Sequence, residues 1–229
     1  MTALLHIITA LAYALPATTI GVIGDTQARP EIFRRAVRDM RRARVNFAIH
    51  LGDLAHCASR QKWQRAVRIM WRLDRPWYHT IGNHEILRCP GTYDPGLRRL
   101  WVRYFGPTFH QYRPHGQDHT FVHLDSATAI PRSQLAHLAD LARSTPVIVA
   151  THRPPGAKLA AVIRDRPTIR AIFHGHDHKF RAYTIGRASV YCTGGGGGDL
   201  DRGGFYHWLH VRIVGPFIHV SPRPIRRQR

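Results

Sequence analysis

Five apolar runs in this chain each stop on an Asp, Asn or His. Residues 18–24 (TTIGVIG) end at Asp25, and residues 47–51 run into Gly52-Asp53. Residues 77–81 lead to Gly82-Asn83-His84-Glu85, and residues 146–150 to Thr151-His152-Arg153. Residues 168–173 break into His174-Gly175-His176-Asp177-His178. Short apolar, partly β-branched runs of this kind read as buried strands. Amphipathic helices alternate with them: Ile32, Phe33, Ala36, Val37 and Met40 repeat at helical spacing, with arginines between. Alternating strands and helices predict an α/β fold. Such folds place their chemistry beyond the carboxyl ends of strands. One polar strand end is ordinary, but five of ligand type are hard to obtain by chance.

The remaining elements follow the same logic. A helix is expected near residues 61–73 with Trp63, Val67, Met70 and Trp71 as its apolar face, a short one at 97–104, and one carrying Leu135, Leu138 and Leu141. Residues 120–124 read as a strand ending at Asp125-Ser126, and residues 188–192 and 206–214 as closing strands. Between these last two lies a run of five glycines, Gly194 to Gly198, read either as a close backbone approach to the site or as a flexible loop. His174 reads as a satisfied core group, and Glu85 as a hydrogen-bond partner of His84 or a helix-start carboxylate.

A chain of 229 residues with 44% hydrophobic content fills one core, so residues 18–221 are read as one domain. Residues 222–229 read as a basic tail. Residues 1–17 are mostly apolar, too short to span a bilayer as a helix, and read as a signal peptide or an N-terminal extension. A cleaved leader implies an extracytoplasmic or secreted protein, an extension a cytoplasmic one. No other stretch is expected to cross a membrane. Three cysteines (Cys57, Cys89, Cys192) make neither a disulfide framework nor a CxxC zinc pattern, although one pair could bond. The net charge is +20, and of the 34 basic residues only Lys62, Lys158 and Lys179 are lysine. Most arginines fall on polar helix faces, but the whole-molecule field favours an anionic partner: a phosphate ester, a nucleotide or a nucleic acid.

Carboxylates, an amide and several imidazoles together suit first-row ions such as Mn, Fe or Zn, and suit Mg or Ca poorly. In an extended or sharply turning loop, side chains two apart point the same way, so His176 and His178 can converge. The donors outnumber what one tetrahedral ion needs. Two ions sharing a carboxylate, roughly 3.5–4 Å apart, would hold a hydroxide between them and clamp phosphoryl oxygens.

The order GD, GD, GNHE, H, GHDH resembles the calcineurin-like metallophosphoesterase superfamily over about residues 18–220. Phe121-Val122-His123-Leu124-Asp125-Ser126 and the glycine run resemble its purple acid phosphatase branch. The resemblance implies a four-layer α/β/β/α sandwich of two mixed sheets flanked by helices, and hydrolysis of phosphomonoesters or phosphodiesters at a dinuclear metal centre. It assigns Asp25 and His178 to metal one, Asp53 as the bridge, and Asn83, His152 and His176 to metal two. His84 would serve the leaving oxygen as a proton donor or stabilise its charge, and Arg153 would hold a phosphate oxygen or point to solvent. Most of the superfamily has Asp-x-His at the first motif, whereas this chain has Asp25-Thr26-Gln27. The purple acid phosphatases lack that His and use a Tyr three residues after the bridging Asp, where this chain has His56. His56 is therefore expected either to ligate metal one or to donate a hydrogen bond from behind the ligands.

Overall fold

In the computed structural model, residues 17–226 are described. The leader or extension lies outside them, but for Ala17, and so do the last three residues of the tail. Two mixed sheets stack face to face. The first has the order β13-β12-β1-β2-β3 and the second β10-β11-β9-β8-β7-β6. Strands β1 (Ala17–Ile23), β2 (Phe47–His50) and β3 (Trp77–His79) run parallel; β12 (His207–Val214) lies antiparallel beside β1, and β13 (Phe217–Pro224) pairs antiparallel with β12 at the edge. In the second sheet β7 (Thr120–His123), β8 (Val147–Thr151), β9 (Ile169–His174) and β11 (Ala188–Thr193) are parallel neighbours. The edges β6 (His110–Tyr112) and β10 (Phe180–Ile185) are antiparallel to them. A small hairpin, β4 (Leu87–Arg88) and β5 (Thr92–Tyr93), stands apart.

Period-two patterning explains the layers. Ile20, Val22, Phe47 and Ile49 of the first sheet meet Phe121, Ile148, Ala150, Ala171 and Phe173 of the second in the central core. The alternate residues Ile23 and Ala48 face helices α1 (Pro30–Arg42) and α2 (Arg60–Met70), with Trp101 of α3 (Pro95–Phe105) in the same cluster. On the far side Val147, Val149 and Ile172 pack under α4 (Arg132–Leu141) and α5 (Ala157–Asp165). The fold is therefore the expected four-layer α/β/β/α sandwich.

Several local readings change. On α2 the buried residues are Trp63, Ala66, Ile69 and Met70. Trp71, expected on that face, is 75% exposed, because the α-helix ends at Met70 and a 3-10 turn over Trp71–Leu73 swings it outward. Strand β10 was not anticipated, and β13 runs further than expected. β13 continues to Pro224 and Ile225 is buried, so ordered structure enters the stretch read as a tail. Cys57 and Cys89 form a disulfide, and Cys192 is free and buried.

Candidate metal centre

All five ligand-bearing strand ends meet at one edge of the sandwich, three from the first sheet and two from the second. Asp25, Asp53 and His176 each hold a left-handed backbone, with φ of 57°, 57° and 70°. Asp and His tolerate this region better than most residues, yet it costs energy and clusters at functional sites. Each turn is held from behind. Glu85 accepts hydrogen bonds from the backbone N–H of Asp53 (2.7 Å), Leu54 (2.8 Å) and Gly82 (2.9 Å), so it ties the second turn to the third. It does this with the backbone, and no hydrogen bond to the His84 side chain is formed. A Cβ on Gly82 would collide with the Asp53 carboxylate and backbone, which explains the glycine. Ser126 Oγ accepts from the backbone N–H of His152 and Arg153, both at 2.9 Å, and fixes the fourth turn.

The five-glycine run is buried throughout. Gly196 N–H donates to Gly24 O (3.0 Å) and Gly198 N–H to Asp25 O (2.7 Å). A side chain at Gly194 would strike the Asp177 carbonyl, and one at Gly198 the His178 ring. The run is a close backbone approach, not a loose loop.

The side chains converge in two groups. Asp53, His152 and His176 offer donor atoms that all lie within 4.8 Å of one another. His152 Nδ1 donates to Leu51 O (2.8 Å), which aims Nε2 at Asn83 Oδ1 (2.9 Å) and Asp53 Oδ2 (3.4 Å). His176 Nδ1 lies 3.3 Å from His152 Nε2, while its Nε2 faces Arg153 Nη1 at 3.2 Å. In the second group His178 Nδ1 is spent on the Asp199 carbonyl, and Nε2 lies 3.4 Å from Asp25 Oδ1. Both Asp25 oxygens also accept from His176 N–H.

This donor set fits metal ions. Bonds near 2.1 Å put adjacent ligand atoms roughly 3 Å apart, close to the spacings above. In His152 and His178 one ring nitrogen is anchored on a carbonyl, as in metal-binding histidines generally. The residue expected to be missing from the second group has a neighbour in its place. Gln27 Nε2 is 3.5 Å from His178 Nε2, and Gln27 Oε1 is buried with no hydrogen-bond partner. Rotating the amide brings that oxygen toward the group. His56 is exposed, its ring 4.9 Å from that of His84, and it is not in the Asp53 grouping.

Charge completes the description. Burial acts to raise Asp53, but His152 and His84 hold it well below the usual carboxylate range. Asp25 is raised by burial. Burial acts to lower His152, yet the Asp53 carboxylate outweighs it and pushes the imidazole up to about 9. The hydrogen bond to Asp25 pushes His178 up to about 9. Burial, His152 and Arg153 bring His176 down to about 4, and burial lowers His84. His84 N–H donates to Asp53 Oδ1 (3.0 Å), its Nε2 lies 3.8 Å from Asp53 Oδ2, and its Nδ1 is buried without a partner. His174 packs away from the site with Nδ1 at Gly175 O. Of the two readings of Glu85, the helix-start carboxylate holds, because it lies in the first turn of the 3-10 helix His84–Ile86; Ser126 was given no role, and a hydroxyl beside a candidate turn was the available signal.

A model of the calcineurin-like phosphoesterase family matches residues 18–180. No curated protein sequence matches the chain. Among solved structures, a dimetal phosphatase from Danio rerio superposes with a TM-score of 0.68 at 14% identity, covering 91% of this chain and 99% of that one. A purple acid phosphatase from yellow lupin seeds gives 0.71 at 12% identity, covering 92% of this chain and 52% of that one. The GAP50 anchor in the inner membrane complex of Plasmodium gives 0.65 at 11%, covering 93% and 90%. At these identities the likeness is one of fold.

Proposed function

Because the chain belongs to the calcineurin-like phosphoesterase family, we propose that it hydrolyses phosphate esters at a dinuclear centre held by its five strand ends. The observation that carries this is the convergence of Asp53, His152 and His176 within 4.8 Å, with Asp25 and His178 paired beside them. Asp53, Asn83, His152 and His176 would hold one ion, and Asp25 and His178, with Asp53 shared, would hold the other. Gln27 or His56 fills the remaining place there, and position favours Gln27. Bound Mn, Fe or Zn ions would supply Lewis-acid activation of water and of the phosphoryl group.

The chain's own groups do the rest. His84 is half-buried beside Asp53 and lies where it can hold a proton for the departing ester oxygen. Arg153, partly buried against His176, offers a planar cation to a non-bridging phosphoryl oxygen. Glu85 and Ser126 position the ligand turns.

Monoesters and accessible diesters both suit such a site; the +20 charge favours a nucleotide or nucleic-acid diester as the second reading. Among the described residues no helix is long and apolar enough to cross a membrane. The Cys57–Cys89 disulfide supports an oxidising, extracytoplasmic setting. The test is hydrolysis of an aryl phosphate with Mn or Fe supplied, against Asp53→Asn and His84→Ala. Both variants should lose turnover, and unchanged turnover in both refutes the proposal.

A further inference from the structure

The outer face of α1 carries arginines at Arg34, Arg38 and Arg41, a spacing that stacks them in one stripe. With Arg35, Arg72 and Glu31 they line a groove of about 440 Å³. Glu31 is the one acid lining this groove, against five arginines. On α1 the pairing acid, Asp39, goes to Arg42 at 3.7 Å. Arg35 donates to the Arg226 carbonyl. Among the described residues no carboxylate lies within 4 Å of Arg34, Arg38, Arg41 or Arg72.

A second groove of about 570 Å³ is lined by Gln64, Val67, Arg68, Trp71 and Tyr104, and its Trp71 directly precedes Arg72 of the first groove in the chain. Trp71 is 75% exposed on its 3-10 turn, whereas Trp63, Trp101 and Trp208 are buried. A predominantly cationic groove, five arginines to one glutamate, with an open indole next to it in the chain matches the two needs of a single strand, phosphate neutralisation and base stacking. A lipid surface is flat and takes several exposed apolar side chains; this surface is concave, and Trp71 is the one large apolar side chain lining it that is exposed.

We propose that the Arg34–Arg38–Arg41–Arg72 groove and Trp71 form a binding surface for single-stranded nucleic acid, separate from the metal centre. The surface stands whether or not the centre hydrolyses phosphate esters, so binding is measured in EDTA. The probes are fluorescein-labelled, mixed-sequence 20-mers of single-stranded DNA and of RNA, read by anisotropy. Neutralising about four phosphates gives a log–log salt slope near −3, so affinity should fall about 60-fold between 50 and 200 mM NaCl. Trp71→Ala should weaken binding about 5- to 100-fold, and saturation should quench indole emission in the wild type but not in that variant. Arg38→Gln/Arg41→Gln should weaken binding at least tenfold and flatten the salt slope by about 1.4 units. All three positions are exposed, and an unchanged thermal midpoint confirms that the variants fold. The proposal is overturned if neither 20-mer binds at 50 mM NaCl, or if both variants bind as the wild type does. It is also overturned if phosphatidylserine vesicles bind through Trp71 while the 20-mers fail to compete.

Discussion

Replacing Ser126 by Ala isolates one support of the metal centre with little change of volume. Ser126 is 2% exposed, and its Oγ accepts from the backbone N–H of His152 and of Arg153 at 2.9 Å. It also receives the Thr151 hydroxyl at 2.7 Å, but that hydroxyl can rotate to another acceptor. The two N–H groups cannot. Each buried donor left without a partner costs about 1–3 kcal/mol, so with some relaxation the loss should total about 2–4 kcal/mol. For a chain of this size that lowers the thermal midpoint by about 4–16 °C. Thermal unfolding in EDTA with the disulfide intact measures it. Ser126→Thr keeps the hydroxyl and should recover most of the loss. Release of the turn should also weaken metal binding at the His152 side more than at the His178 side. A midpoint within 1 °C of wild type, or a Thr variant as damaged as the Ala variant, would refute the assignment.

At metal one, Gln27→Ala should weaken the ion held by Asp25 and His178 more than His56→Ala does, read by metal titration; the reverse order returns the place to His56. Gln27→His, which restores the superfamily's donor type, should tighten it. With no Tyr at position 56, iron-loaded protein should lack a tyrosinate charge-transfer band, and a purple colour would contradict either donor. The pH dependence has a definite sign. His152 and His178 are raised to about 9, so the stability they contribute is complete below about pH 6.5 and is lost as pH climbs to 9. Glu85, raised by burial to about 8, costs stability as pH rises toward 8. EDTA-treated protein should therefore melt lower at pH 9 than at pH 6.5, and metal affinity should rise over the same interval as the imidazoles shed protons. A higher midpoint at pH 9 would contradict the charge assignments.

How much of this was legible depended on what each residue faces. Buried parallel strands such as β8 and β9 read directly as apolar runs, and their ends delivered the ligand candidates. β10 and β13 are edges: FRAYTI is mostly exposed, and FIHVSPRP carries two prolines that only an edge accepts. β10 leaves no alternation to find, and in β13 only Ile218 and Val220 alternate inward. On α2 the small Ala66 holds the centre of the buried arc, so counting large side chains alone displaced the expected face toward Val67 and Trp71. The pairing of Cys57 with Cys89, the backbone grip of Glu85 and the place of Gln27 beside His178 all join turns from different strands. Local patterns carry no such register.

Metal stoichiometry tests the central claim most directly. Purified protein loaded with Mn, desalted and counted by mass spectrometry should hold close to two ions per chain, one in His178→Ala, and close to none in Asp53→Ala. Wild-type protein that retains no metal, or an Asp53→Ala variant that retains as much as the wild type, would contradict a dinuclear centre at these strand ends.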